Sequence, residues 1–161
     1  MYFIREIQES DITQIFNIDR EAFGPETYPI MFFRQAYELY PKTYFVVIRE
    51  IQVVGYCLGS PMVSDLKKAW ILSIAVSKEC QRHNCGSNLL YTTLNALQQV
   101  GCKEVLISVH PKNETAKHLF EEYGFQVVRT DESYGGPGNP RNIMRLEIDN
   151  LQLIAPNRFT Q

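Results

Sequence analysis

The sequence predicts an α/β (α+β) fold, in which a mixed, mostly antiparallel seven-stranded sheet is flanked by four helices. Three observations lead there. Two strand-like runs, Thr43 to Arg49 and Val53 to Gly59, are joined by a tight Glu50-Ile51-Gln52 connection that suggests an antiparallel hairpin. Helical segments separate the later strands, and helix crossovers join parallel strands. Strict βαβ alternation is absent, which disfavours a doubly wound dinucleotide fold.

The elements follow in order. Tyr2 to Ile7 reads as a short strand. Ser10 is then an N-cap for a helix whose Ile12, Ile15, Phe16, Asp19, Ala22 and Phe23 recur at amphipathic spacing. Gly24-Pro25 breaks it. Pro29 suits the first turn of a second helix, Ile30 to Tyr40, which Pro41 stops. After the hairpin comes a strand over Ala69 to Val76, then a polar stretch from Ser77 to Ser87. Leu90, Leu94 and Leu97 mark one face of a third helix, and Gly101 stands where a C-terminal cap glycine belongs. Val105 to Val109 forms a strand, and Asn113 can cap a helix carrying Ala116, Leu119, Phe120 and Tyr123 that ends at Gly124. Phe125 to Arg129 and Ile143 to Ile148 are the last two strands, parted by the loop-forming Gly135-Gly136-Pro137-Gly138-Asn139-Pro140. The order is β-α-α-β-β-β-α-β-α-β-β. Residues 1–149 form one domain in this reading, and 150–161 is a loose tail.

Composition narrows the function. The chain has 161 residues, 45% of them hydrophobic and 21% charged, the balance of an ordinary globular domain. A formal net charge of −2 offers no basic footprint for nucleic acid. No apolar run approaches the roughly 18 residues of a membrane span, and the early charges Arg5 and Glu6 do not suit a secretion signal. Cys57, Cys80, Cys85 and Cys102 show no paired zinc spacing, so no metal is expected and reduced thiols in a cytoplasmic protein are the reading.

The stretch from Ile74 to Leu90 carries the chemistry. A strand ends, a polar loop turns and a helix begins; such a turn aims successive backbone N–H groups inward, and the helix start adds about half a positive charge. That arrangement suits a pyrophosphate. Gly86 allows close backbone approach, and Asn84 belongs to the few non-glycine types that tolerate positive φ. An ordinary strand-to-helix connection is the alternative, and neither a Walker loop nor Gly-x-Gly-x-x-Gly occurs.

A second segment, Val109 to Phe125, follows the next strand. Together the two resemble motifs A and B of the GNAT acyltransferases, V-x(4)-[RQ]-x-x-G-x-[GA] and N-x-x-A-x-x-[LF]-Y-x-x-x-G-F, through Val76, Gln81, Gly86, Asn113, Ala116, Leu119, Gly124 and Phe125. The resemblance implies the GNAT fold and acetyl-CoA as acyl donor, bound where two parallel strands splay. It assigns Ile74, Ala75 and Val76 to the pantetheine, and Gln81, Arg82, His83, Asn84, Cys85, Gly86 and Ser87 to the pyrophosphate. Asn113 would help orient the cofactor's arm. An amine acceptor then attacks the thioester directly.

Three positions depart from the family pattern. Asn84 stands for the first loop glycine. Phe120 replaces the tyrosine that protonates the leaving thiolate, and phenylalanine has no proton to give. Ser108 occupies the strand position where ribosomal-protein alanine acetyltransferases carry a glutamate base. His110 shares the strand face of Ser108 and could serve as base or contact the substrate; a surface or cap-forming histidine is the alternative. Tyr123 is expected to pack in the core.

Pro25-Glu26-Thr27-Tyr28 resembles the Pro-Glu-Asn-Tyr segment of protein N-terminal acetyltransferases, where that loop lines the peptide site. It makes Glu26 a candidate base and Tyr28 a wall, against a plain loop acid with a packing tyrosine. Tyr134 resembles the tyrosine those enzymes present to substrate from their last hairpin, which makes it a candidate catalytic residue that donates to a peptide carbonyl or shuttles the thiolate proton, against a mere loop aromatic. Proton cost points the same way: deprotonating lysine at pH 7 costs about 4.6 kcal/mol, an α-amine only about 1–1.4. The expected activity is therefore direct acetyl transfer to an amine such as a peptide N-terminus, by a monomer or homodimer. A small-molecule amine acetylase and an acyl-CoA-binding regulatory module are the alternatives. A ping-pong route through Cys85 or Cys57 is disfavoured, since Cys85 sits in the phosphate turn.

Overall fold

The structure, a computed structural model, describes residues 1–149, 152–157 and 159. Seven strands form one sheet in the order β1-β2-β3-β4-β5-β7-β6: β1 (Tyr2–Glu6), β2 (Tyr44–Arg49), β3 (Gln52–Met62), β4 (Asp65–Val76), β5 (Glu104–Val109), β6 (Gln126–Asp131) and β7 (Arg141–Glu147). Helices α1 (Ile12–Phe23) and α2 (Ile30–Leu39) cover one face, and α3 (Cys85–Gln99) and α4 (Glu114–Glu122) the other.

Strand β2 shows why two faces are covered. Its side chains alternate, so Val46 and Ile48 join Ile15, Ile18 and Phe33 beneath α1 and α2, while Phe45 and Val47 join Leu90, Leu94 and Leu97 beneath α3. The leucine stripe of α3 is thus the core face expected. The β2–β3 hairpin is also as expected: Arg49 pairs with Gln52, and Glu50 takes the left-handed conformation at φ 59° that a two-residue turn requires.

Three expectations need correction. Ser10 does not cap α1; it lies exposed in a single 3-10 turn, Glu9–Asp11. Asp11 stands at the helix start instead, its carboxylate accepting from the Gln8 N–H at 2.7 Å and from Arg5 at 2.7 and 3.0 Å. An ionised group with a cation beside it makes the stronger bond. Second, the helix α4 does not lead to a strand beside β5. Strand β7 enters between β5 and β6 and is antiparallel to both, so β4–β5 is the one parallel pair among the described residues. Third, the tail is not wholly loose. Phe159 stacks on Tyr2 with ring centroids 5.6 Å apart, and Leu153 packs against the core edge. Residues 150, 151, 158, 160 and 161 of that tail lie outside the described residues.

The feature that makes a site is local to β4. Its pairing with β3 continues to Val76, but its pairing with β5 stops at Ile71 with Ile107. At the same point β3 and β4 slip register: Ser73 faces Leu58 and Ile71 faces Gly59, leaving Leu72 as the extra residue of a bulge. A bulge bends its strand and re-aims the side chains beyond it. From Leu72 onward the β4 edge therefore diverges from β5 and opens a cleft.

Candidate active site

Two adjoining cavities occupy the cleft. The larger, about 660 Å³, is lined by Ile74, Ala75 and Val76 of β4, by Gln81, Arg82, Asn84, Cys85, Gly86 and Ser87 of the turn, and by Asn113, Thr115, Ala116 and Leu119 around α4. The smaller, about 170 Å³, is lined by Glu26, Tyr28, Leu72, Ser73, Ser108, His110 and Arg141. Phe23, Ile74, Asn113, Ala116 and Phe120 belong to both walls, so they form the junction.

The turn has the geometry of an anion cradle. Asn84 is left-handed at φ 60° and ψ 17°, a conformation its residue type tolerates, and Arg82 is left-handed too at φ 69°. Residues of alternating hand point neighbouring N–H groups into one concavity. The 15-residue α3 begins at once with Cys85, adding its N-terminal dipole. A Cβ on Gly86 would lie 3.4 Å from Leu119 Cδ2 and 3.9 Å from Val76 Cγ2, so any longer side chain there would extend into the cleft. Lys78 and Arg82 add cationic side chains to the same wall. These residues fit a diphosphate at the helix end and an extended arm along β4.

The sequence-predicted cofactor residues thus converge, with one difference. His83 does not line the cavity; its ring lies 5.5 Å from that of Tyr2, on the β1 side of the turn. Asn113 caps α4, its Oδ1 accepting from the Ala116 N–H at 3.2 Å. Tyr123 packs at the core edge as expected, and its hydroxyl donates to the Ser87 carbonyl at 2.9 Å, tying α4 to the cradle. His110 spends Nδ1 on the Lys112 N–H at 3.1 Å, a turn contact that leaves Nε2 as its other ring nitrogen.

The second set of residues builds the other end. Glu26 ends a single 3-10 turn, Gly24–Glu26, and its Oε2 lies 2.6 Å from Arg141 Nη2. Arg141 opens β7, is largely covered, and donates to the Pro140 carbonyl at 2.8 Å as well. This pair links the loop between α1 and α2 to the β6–β7 loop across the cleft mouth. With Glu26 half exposed, such a pair adds only about 0.2–1 kcal/mol to stability, so its importance is positional. Tyr28 stacks on Phe32 at 4.2 Å; burial first, then the neighbouring Asp19 and Tyr134, raise its phenol pKa. Tyr134 lies on Trp70 at 6.4 Å, with Arg129 5.9 Å from its ring, beside the smaller cavity rather than in its lining.

Sequence reasoning missed Arg141, whose only signal was a base after the Gly-Pro loop. It also missed Asp19 and Ser73. Asp19 did carry a signal, because a carboxylate stood within the apolar stripe of α1.

Comparison with known proteins decides the family. Residues 10–125 match the model of the acetyltransferase (GNAT) family. The chain belongs to the GNAT acetyltransferase family. An N-alpha-acetyltransferase of Sulfurisphaera tokodaii is 31% identical over 153 residues, spanning 89% of this chain and 91% of that protein. Among solved structures, Ard1 from Thermoplasma volcanium superposes with a TM-score of 0.85 at 22% identity, over 92% of this chain and 99% of that one. YncA from Salmonella typhimurium, solved with its cofactor acetyl-CoA, gives 0.79 at 17%, over 93% and 95%. In this acetyltransferase the larger cavity lies between the free edge of β4, the turn before α3 and the start of α4. No helix among the described residues is long and apolar enough to cross a membrane.

The thiols of this acetyltransferase do not suit covalent catalysis. Burial pushes Cys85 up to about 12, with Cys80 adding to the rise, and burial likewise pushes Cys57 up to about 12. A thiol so raised holds its proton at neutral pH and is a poor nucleophile. Cys85→Ala is expected to retain turnover, and intact-mass measurement after mixing with acetyl-CoA alone should show no acetylated protein.

Phe120 is buried at the junction, its ring 5.9 Å from that of Phe125. Phe120→Tyr places a hydroxyl where the two cavities meet. Steady-state kinetics should show activity equal or higher; a large loss would mean that the junction has no room for the added oxygen.

Proposed function

We propose that this acetyltransferase transfers the acetyl group to the α-amine of a protein or peptide N-terminus, with Glu26 as base. One observation carries the reading: the Glu26 carboxylate, held by Arg141, stands at a small cavity that adjoins the open edge of β4. Bound acetyl-CoA supplies the activated acyl carbon at that edge. The chain does the rest. The β4 peptide groups and the α3 cradle hold the donor; the second carboxylate oxygen of Glu26 draws in the ammonium group and takes its proton. The freed amine forms the amide bond as the thioester C–S bond breaks, and the proton the nitrogen then sheds goes to the departing thiolate.

Tyr28 forms one wall for the first residue of the acceptor, and Ser108 and His110 form part of another. Tyr134, seated on Trp70, is positioned to donate to a peptide carbonyl beyond the mouth. Positioning two partners against a prepolarised strand edge accounts for most of the acceleration in this scheme. The acceptor's chemistry supports it too: an α-amine deprotonates about 3 kcal/mol more cheaply than lysine, which a site with one half-exposed carboxylate can supply. The N-alpha-acetyltransferase relatives point in the same direction.

The test is acetylation of a peptide panel with varied first residues, each also prepared with a blocked N-terminus and an internal lysine. Mass spectrometry should find acetyl on the α-nitrogen alone. Acetylation confined to lysine Nζ, or to small amines with no peptide accepted, would overturn the proposal.

A further inference from the structure

Beneath the acceptor loop lies a carboxylate that the scheme above does not use. Asp19 of α1 is fully buried, and no cation pairs with it among the described residues. Three donors bond to it instead, and the Thr27 hydroxyl faces it as well. Oδ1 accepts from the Tyr56 hydroxyl and, at 3.3 Å, from Ser73 Oγ; Oδ2 accepts from the Tyr28 N–H at 3.3 Å. Tyr56 Oη and Ser73 Oγ are themselves 2.7 Å apart. The three groups come from α1, β3 and β4, and Ser73 lines the smaller cavity next to the bulge.

Counting protons fixes which way Ser73 faces. A hydroxyl has one proton and two lone pairs. Tyr56 spends its proton on Asp19, so Ser73 gives its own to Asp19 or to the Tyr56 oxygen. In either case the proton points inward and lone pairs remain for the cavity. Such a group can accept from an N–H and cannot donate to a carbonyl.

We propose that Ser73 binds the N–H of the acceptor amine and that Asp19, with Tyr56, is the positioning residue that fixes its hydroxyl for that contact. The same carboxylate holds the Tyr28 N–H, so one buried group sets both the wall and the floor of the acceptor site. Burial raises the pKa of Asp19, and the bonds from Tyr56, Tyr28 and Ser73 oppose that rise by favouring the charged form. The inference rests on the reading of the smaller cavity as the amine site and extends it to a residue pair.

The experiment compares wild type with Ser73→Ala, Ser73→Thr and Asp19→Asn. It measures acceptor KM, acceptor affinity for the unreactive protein–CoA complex by calorimetry, and CoA affinity. Ser73→Ala should weaken acceptor binding roughly tenfold or more, the scale of a hydrogen bond to a charged group, and leave CoA affinity within about twofold. Ser73→Thr keeps the hydroxyl and should retain binding. Asp19→Asn keeps one oxygen to accept from Tyr56 and Ser73 but sets its NH2 against the Tyr28 N–H, so it should weaken the acceptor through the displaced Tyr28 wall. Ser73→Ala with unchanged acceptor affinity, or with equal losses for acceptor and CoA, would overturn the inference. If the wild type accepts small amines and no peptide, the peptide reading fails while the Ser73 contact is measured on those amines in the same way.

Discussion

Gly86→Glu is expected to abolish acetyl-CoA binding, with loss of affinity by about two orders of magnitude or more. Position 86 is the second residue of α3, facing the cleft, and a Cβ there meets Leu119 Cδ2 at 3.4 Å and Val76 Cγ2 at 3.9 Å. The backbone therefore accepts a side chain, but the rest of a glutamate must run into the concavity between Arg82, Asn84 and Ser87. A carboxylate placed there opposes the charge of a diphosphate and competes for the N–H groups that would bind it. Gly86→Ala separates charge from bulk. Its Cβ makes an ordinary contact, and alanine suits a helix interior better than glycine, so the fold and most of the affinity should survive. Calorimetric titration with acetyl-CoA reads both variants. Unchanged affinity in Gly86→Glu would mean that the diphosphate binds elsewhere.

Glu26→Gln should lower kcat/KM for the acceptor about 100-fold or more while leaving acetyl-CoA affinity intact. The change preserves shape and removes only the negative charge and the ability to take a proton, for which general-base catalysis contributes roughly 10²–10⁴-fold. Because Glu26 also pairs with Arg141, part of any loss could come from a loosened loop. Two measurements divide the effects. The double variant Glu26→Arg with Arg141→Glu restores a pair across the mouth, and its thermal midpoint should return towards that of wild type. Its turnover should stay low, since the carboxylate now starts from β7. A Glu26→Gln enzyme with more than half of the wild-type rate would remove Glu26 from the chemistry.

Much of this was legible in the residues. The leucine spacing of α3, the hairpin around Glu50 and the Asn113 cap are each decided within a few positions, where side-chain period and turn preference act directly. The cradle was legible for the same reason: strand, turn and helix start are contiguous, and Asn84 announces a left-handed residue by its type. Arg82 did not, because nothing in an arginine marks positive φ; the turn geometry imposes it. Ser10 misled, because capping preference ranks residue types and cannot see that Arg5 stands beside Asp11. The parallel neighbour expected for β5 failed because a crossover sets strand direction, not adjacency, and a later hairpin strand was free to enter the gap.

What the sequence by itself determined is the kind and order of the elements, the left-handed turn before α3 and the family. Only the tertiary structure decided the acceptor end. Glu26 meets Arg141 across 115 positions, and Asp19 meets Ser73 across 54 and Tyr56 across 37. Those contacts depend on where the β4 bulge opens the sheet and on β7 lying between β5 and β6. Local propensities fall off within a turn or two of helix or strand, so they cannot reach that far; only the packed sheet brings such groups into hydrogen-bonding range.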